Sequence, residues 1–228
     1  MSDTRTNAGI DSISTFRKMH IWCEPGERVI VLMAAGNLAT TQSVVSLLDE
    51  RTKAVSERSP TLLETPSMYQ TARLVGSTVR EVIAGHAQEG EKADSYFNAS
   101  FILGGQIRGT EPRLFMIYPE GNFIESTDDT PFFQIGETKY GKPIIIRAYE
   151  KTMSLAETVK LLLVSFDSTL KSNLSVGLPL DLLFLEKVAF KVGLKRRIGQ
   201  DDQYYRAISE GWSNALKTAF ASLPDFPG

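Results

Sequence analysis

Asp3, Lys18 and Gly36 carry the residue types and spacing that could do chemistry near one end of the chain. Asp3, Arg5 and Asn7 stand two apart, the spacing of an extended segment or loop rather than of a helix start. Lys18 follows Phe16 and precedes the apolar Ile21-Trp22. An ammonium buried in such surroundings needs a counter-charge, and Asp3 is the candidate. Residues 28–36 read Arg-Val-Ile-Val-Leu-Met-Ala-Ala-Gly, an apolar run closed by glycine, which has the look of a buried strand. Gly36 thus sits where a backbone N–H could face a site and donate to developing negative charge. On their own, an Asp and a Lys near strand ends make a plain ion pair. A further carboxylate, Asp167, lies beside the apolar face of a later helix near its end.

The elements that must position these groups follow from periodicity. A second extended piece begins around Ile13 and Phe16, and Asn37 caps a helix running from Leu38 to about Thr52. Residues 57–65, with Pro60, form a polar loop. Val75, Val79, Val82, Ile83 and His86 make one face of a second helix, which Gly85 and Gly90 end, with His86 a packing residue. Residues 88–94 are a charged connection. The centre is a meander of antiparallel strands over 99–107, 113–118 and 122–125, in which Gly104-Gly105 suggests a bulge or a close backbone approach. After a turn at 136–141, Lys142-Pro143 suits an early helical turn. Ser154 with Glu157 completes a capping box, and Leu155, Val159, Leu162, Leu163, Phe166 and Leu170 stripe the helix behind it. A strand starts near Gly177, Lys195-Arg196-Arg197 reads as a solvated turn, and Asp201-Asp202 precedes a last helix. Helices on both sides of packed sheets imply an α+β sandwich.

Composition narrows the function classes. With 25 basic and 27 acidic residues the 228-residue chain has no field favouring nucleic acid or an anionic membrane. At 42% hydrophobic it can bury a full core. No apolar stretch reaches about 18–20 residues, so neither a membrane span nor a signal peptide is expected. Cys23 is the single cysteine, which suits the cytoplasm, and with two histidines and one cysteine no zinc site built from those ligands is expected; no cofactor is implied.

Several stretches in order, SDTRTNAGIDSISTFRKMH, VIVLMAAGNLATTQ, YPEGNFIEST, FFQIGETKYGKPII and SNLSVGLPLDLL, resemble the proteasome β-subunit superfamily, and most of all its bacterial Anbu group. The resemblance covers nearly the whole chain. It implies one domain over 1–228, with 223–228 a frayed tail, folded as the four-layer αββα sandwich of N-terminal-nucleophile hydrolases. In that superfamily the nucleophile is an N-terminal Thr, Ser or Cys on a hairpin leading into the Asp-x-Arg. Such a hairpin needs about 12–17 residues, whereas Met1 and Ser2 precede Asp3 here. The expectation is therefore a fold lacking the first β-hairpin, with the nucleophile outside this sequence. Ser2 adjoins Asp3, at the wrong end of that hairpin to attack.

By the same resemblance Lys18 is the lysine that lowers the pKa of nucleophile and amine, Asp3 its partner, Gly36 the oxyanion donor and Asp167 a second, orienting carboxylate. Asn7, Ala34 and Leu38 become substrate-binding positions. Glu137 stands where proteasomes carry a serine, and the serine that follows Asp167 functionally is left open among those after it. The implied function is a threonine-type peptidase subunit that cleaves peptide bonds within a ring or ring-like homo-oligomer. Two alternatives stand beside it: a non-catalytic shell subunit of the same fold, and an amidase acting on small amides.

Overall fold

The computed structural model describes residues 1–7, 13–53, 61–88 and 97–227. In chain order these form β1 (Arg5–Asn7), β2 (Ile13–Thr15), β3 (Met19–Glu24), β4 (Arg28–Gly36), α1 (Leu38–Lys53), α2 (Met68–Gln88), β5 (Ala99–Ile107), β6 (Arg113–Ile117) and β7 (Phe123–Glu125), then α3 (Lys142–Ala148), α4 (Leu155–Ser172), β8 (Leu180–Leu183), β9 (Lys195–Ile198) and α5 (Gln203–Ala221).

The apolar run that ends at Gly36 is β4, and its continuity has a simple cause: both faces are covered. β4 lies between β3 and β5 in a five-stranded antiparallel sheet of order β3-β4-β5-β6-β7. The register runs from Met19↔Met33 to Glu24↔Arg28 on one side, and from Arg28↔Ile107 to Gly36↔Ala99 on the other. Because side chains alternate across a strand, Ile30, Leu32 and Ala34 face α1 and α2 together with Phe101, Leu103, Phe115 and Ile117. Val44, Val45 and Leu48 of α1 and Ala72, Val75 and Val79 of α2 complete that core. The intervening Val31, Met33, Ile102 and Leu114 turn the other way, onto a gap of about 350 Å³ shared with Leu183 and Leu185. Beyond the gap lies the pair β8-β9, packed on α4 and α5 through Leu163, Leu180, Leu182, Ile198 and Tyr205. The layers are helix, sheet, sheet, helix: an α+β sandwich with antiparallel sheets.

Local chemistry sets the ends of the elements. Asn37 Oδ1 accepts the Thr40 N–H at 3.0 Å at the start of α1. Ser154 Oγ accepts the Glu157 N–H and the Glu157 carboxylate accepts the Ser154 N–H at 2.8 Å, the reciprocal cap expected from the sequence. Asp202 caps α5 through the Tyr205 N–H at 3.0 Å. Two indole N–H groups tie helices to their neighbours: Trp22 donates to Asp49 on α1 at 2.7 Å, and Trp212 on α5 donates to Ser168 on α4 at 3.2 Å.

The structure resolves the double glycine in favour of a close approach. Ile30 pairs regularly with Gly105 and Val31 with Gly104, and a Cβ on Gly105 would lie 2.2 Å from the Val29 carbonyl oxygen. Gly76 of α2 and Gly121 of the β6–β7 turn touch in the same way, a Cβ on Gly76 falling 2.2 Å from Gly121 O.

Two sequence expectations change. α2 runs through Gly85 to Gln88, since the position is open and a lone glycine costs a helix only about 1 kcal/mol. Lys195-Arg196-Arg197 is not a solvated turn but most of β9. Arg197 pairs across the sheet with Asp181 on β8 at 2.9 Å and Arg196 with Asp202 at the start of α5, while Ile198 enters the core. The side chains of Asn7 and His86, residues 57–60 of the polar loop and residues 89–94 of the charged connection lie outside the described residues. Among the described residues no helix is long and apolar enough to cross a membrane.

Candidate active site

Two short backbone links bring Asp3 to Lys18. Ser2 forms an antiparallel bridge with Asp181, N–H to carbonyl in both directions at 2.9 and 2.7 Å, which lays the first residues along the edge of β8. The Phe16 N–H then donates to Thr4 O at 2.7 Å, closing β1 and β2 back on the same segment. Lys18 in turn is held against β4, its carbonyl accepting the Ala34 N–H at 2.9 Å. Asp3 therefore comes from the second sheet, Lys18 from the first, and the pair sits on the seam.

There the Lys18 ammonium donates to Asp3 Oδ1 at 2.8 Å, with the side chains 21% and 11% exposed. Asp3 Oδ2 accepts two backbone N–H groups, from Arg5 at 3.2 Å and Gly177 at 3.3 Å. Three donors from three segments thus converge on one carboxylate. An ammonium has three N–H donors, and Lys18 spends one on Asp3, which leaves donor capacity for a group in the adjoining space.

That space is a cavity of about 940 Å³ running from the end of β4 to α4. Asp3, Lys18, Ala34, Gly36 and Leu38 all line it. Five of the sequence-derived positions are thus brought together. Gly36 has φ +109°, and a Cβ there would fall 2.3 Å from Asn98 O, so the rim of the cavity admits only glycine at that point. Asn7 lies in β1, paired with Ile13. His20 also lines the cavity; its Nε2 is 3.1 Å from Arg17 O, and burial pushes its pKa below the usual imidazole value.

Asp167 is placed elsewhere. It is not among the residues lining the cavity; α4 presents Leu162, Ser165, Phe166 and Thr169 there instead. The Asp167 carboxylate is buried towards α5, where it accepts the Tyr205 hydroxyl at 3.2 Å and pairs with Lys171 at 3.0 Å. Burial, with the nearby Asp167 charge, pushes the Tyr205 phenol up to about 12. Two serines that follow Asp167 lie on different sides of α4 and its loop. Ser168 accepts from Trp212 on the α5 side, while Ser175 lines the cavity.

Sequence reasoning passed over Asn173, Ser175 and Gly177. The available signal was the cluster Ser-Asn-Leu-Ser-Val-Gly directly after a helix, a loop in composition. Nothing in it states that the loop returns to residue 3. Glu137 was noted only as a departure, yet its carboxylate accepts from Lys139 N–H and Asn173 Nδ2, both at 2.7 Å, at the cavity wall. Ser2 Oγ is buried and pairs with no described atom. Ser2 nonetheless lines the same cavity as Asp3 and Lys18. Among the described residues there is no cluster of His, Cys, Asp or Glu that could hold a metal ion.

A model of the family "Proteasome subunit" matches residues 2–177. Among solved structures, Anbu from Hyphomicrobium sp. strain MC1 shares 53% identity at a TM-score of 0.91, over 100% of this chain and 94% of that one. Anbu (ancestral beta-subunit) from Yersinia bercovieri shares 50% at TM-score 0.91, over 100% and 94%. The Pseudomonas aeruginosa protein, described as a helical assembly of the Anbu complex, shares 47% at TM-score 0.91, over 100% and 92%. Comparison with curated proteins returned no match. With the family model spanning most of the chain, and full-length likeness to Anbu structures at about half identity, the chain belongs to the proteasome-subunit family, in its Anbu branch.

Proposed function

We propose that the chain is a peptidase subunit of the N-terminal-nucleophile type, cleaving peptide bonds within an assembly of identical subunits. The observation that carries this reading is the Asp3–Lys18 pair at the wall of a cavity of about 940 Å³. A fixed ammonium beside a hydroxyl or thiol favours the ionised nucleophile, and keeps a neighbouring amine neutral enough to take the proton. Asp3, with two backbone donors besides Lys18, holds that charge in place. Gly36, on the rim, is the donor for the oxygen of the tetrahedral intermediate. Ala34 and Leu38 contact the substrate. The nucleophile this site would serve is the residue that the superfamily carries on the hairpin ahead of its Asp-x-Arg. Asp167 takes no direct part in this reading. It braces α4 through Tyr205 and Lys171.

The test uses protein extended ahead of Met1 by a hairpin carrying an N-terminal Thr, Ser or Cys, as in the superfamily, and reads reactivity towards a peptide or a covalent electrophilic probe. Lys18→Met is expected to lower reactivity by about 10²–10⁴-fold with a near-normal thermal midpoint. Asp3→Asn lowers it too and costs more stability, because it leaves the ammonium without its counter-charge. Unchanged reactivity in Lys18→Met overturns the assignment, and a wild-type protein unreactive towards every peptide favours the shell reading. Self-association is part of the proposal, supported by the helical assembly of the relative from Pseudomonas aeruginosa. Light scattering at micromolar concentration should show an oligomer, and a clean monomer counts against it.

A further inference from the structure

Hydrogen bonds, together with the backbone of the loop 173–177, link the Asp3–Lys18 pair along the cavity wall to a carboxylate outside the pair. Lys18 Nζ donates to Asp3 Oδ1; Asp3 Oδ2 accepts the Gly177 N–H. Within the loop 173–177, the Ser175 N–H donates to Asn173 Oδ1 at 2.8 Å. Asn173 Nδ2 donates to Glu137 Oε2 at 2.7 Å, across 36 positions of sequence. We infer that Glu137 and Asn173 are positioning residues that, through the loop 173–177, fix Asp3 and with it the ammonium of Lys18. The functional meaning of this inference rests on the peptidase reading above.

Each end of the latch is anchored to a rigid element. Asn173 is the C-cap of α4, its own N–H donating to Thr169 O at 2.8 Å. Glu137 stands in a loop seated on the end of β4: Gly136 has φ +77°, and a Cβ there would lie 3.3 Å from the Ala35 Cβ. The latch therefore spans from the strand that ends at Gly36 to the helix that packs on β8. Its other strut is Arg5, whose Nη1 donates to Leu174 O at 3.1 Å. A Cβ on Gly177 would fall 2.0 Å from Arg5 Nε, so the loop and the first strand leave no slack between them.

The chemistry of the two side chains explains why one amide and one carboxylate meet here. The Lys139 N–H, helped by Asn173, holds the Glu137 carboxyl below the usual carboxylate range, so it is an acceptor only. An amide facing it must present its NH₂, which turns its oxygen to the Ser175 N–H. That orientation is the one needed to close the loop and aim the Gly177 N–H at Asp3. A serine at position 137, as in proteasomes, would be too short to reach Asn173 from the same backbone.

The test exchanges donor and acceptor. Hydrogen exchange at the Gly177 amide and the NMR signal of the Lys18 ammonium are followed, with the amides of β4 and β5 as a control for global stability. In Asn173→Asp two carboxylates face each other while the acceptor for Ser175 is kept. Gly177 exchange is expected to rise about tenfold and the Lys18 signal to move, with β4–β5 protection unchanged. Glu137→Gln alone keeps an acceptor for Asn173 and changes each readout by less than about twofold. The double variant E137Q/N173D lets the new amide donate to the new carboxylate, and both readouts return to near wild type. If Asn173→Asp does not fold, Asn173→Ser removes the reaching donor without adding charge, and is read in the same way, with faster Gly177 exchange and a shifted Lys18 signal expected. Wild-type Gly177 exchange and Lys18 signal in whichever Asn173 variant folds overturn the inference, as does a double variant no better than N173D. Neither readout depends on turnover, so failure of the peptidase reading and failure of the latch are told apart.

Discussion

The two halves of the sandwich are held together by different means. On the side of α1, α2 and the five-stranded sheet, eighteen described residues form one buried apolar cluster, including Phe101 and Phe115 at 0% exposure. On the side of α3, α4, α5 and β8-β9 the described cluster has five buried members, one of them Tyr205. That second half relies instead on caps and polar links: the Ser154–Glu157 cap, the buried Asp167–Tyr205–Lys171 group, and the Arg197–Asp181 pair across β8-β9. The site residues are divided between the halves, and the network around Asp3 is what spans them. Apolar burial gives a rigid floor at β4, while hydrogen bonds give direction to the loop above it.

Mutations can break or sharpen this contrast. The largest effect belongs to the first core: Phe101→Ala should cost about 3–5 kcal/mol in urea unfolding, against about 2 kcal/mol for Leu182→Ala in the second. Equal losses would show that the second cluster packs as tightly as the first and remove the contrast. Next comes alkaline pH. The Tyr205 phenol sits at about 12 when folded, against an ordinary value of 10.0. A raised pKa means that the folded protein keeps this proton longer than the unfolded one. The stabilisation is therefore complete below pH 10 and is lost as pH rises from 10 to 12, about 2–3 kcal/mol in all. Tyr205→Phe should flatten that part of the stability profile, whereas Phe101→Ala should shift the whole profile without changing its shape. A wild-type profile already flat over this range would show that Tyr205 is less confined than its burial implies. The smallest effect is Ser154→Ala, about 1 kcal/mol from loss of the cap. The capped Glu157 carboxyl is held low by Ser154, so its contribution is present above the ordinary glutamate range and lost as pH falls through the folded value. The variant should lose that acid-side dependence, as a pH series of thermal midpoints would show.

The contrast also explains which parts were legible in the sequence. Period-two and period-3.6 patterns report apolar burial, so β4, β5, α2 and α4 could be drawn from residues 28–36, 99–107, 75–86 and 155–170. Capping is local, and Ser154 with Glu157 announced itself. β9 was hidden because its pairing runs through Arg196 and Arg197 to acidic partners, with Ile198 as its only buried side chain. The Asp3–Lys18 meeting required chain reversals that no local pattern encodes, and it was reached through resemblance. The loop 173–177 and its link to Glu137 are still further from local signals, joining positions far apart through one amide side chain. Asp167 shows the opposite risk. Its place beside an apolar helix face fits a buried carboxylate of any purpose, and the face turned out to meet α5.

The two tryptophans are distributed as if to report on this division. Trp22 is 8% exposed, with its indole N–H on Asp49, among the residues of the first core. Trp212 is half-buried on α5, with its N–H on Ser168. The chain has no other tryptophan. Replacing either by phenylalanine therefore leaves one intrinsic fluorophore in one half. Trp22 should emit at the shorter wavelength of an enclosed indole, and Trp212 further to the red. Two overlapping unfolding curves from the single-tryptophan proteins would mean that the halves melt as one cooperative unit. Curves that separate, with Trp212 responding first, would resolve the looser half in time and in denaturant without any added label.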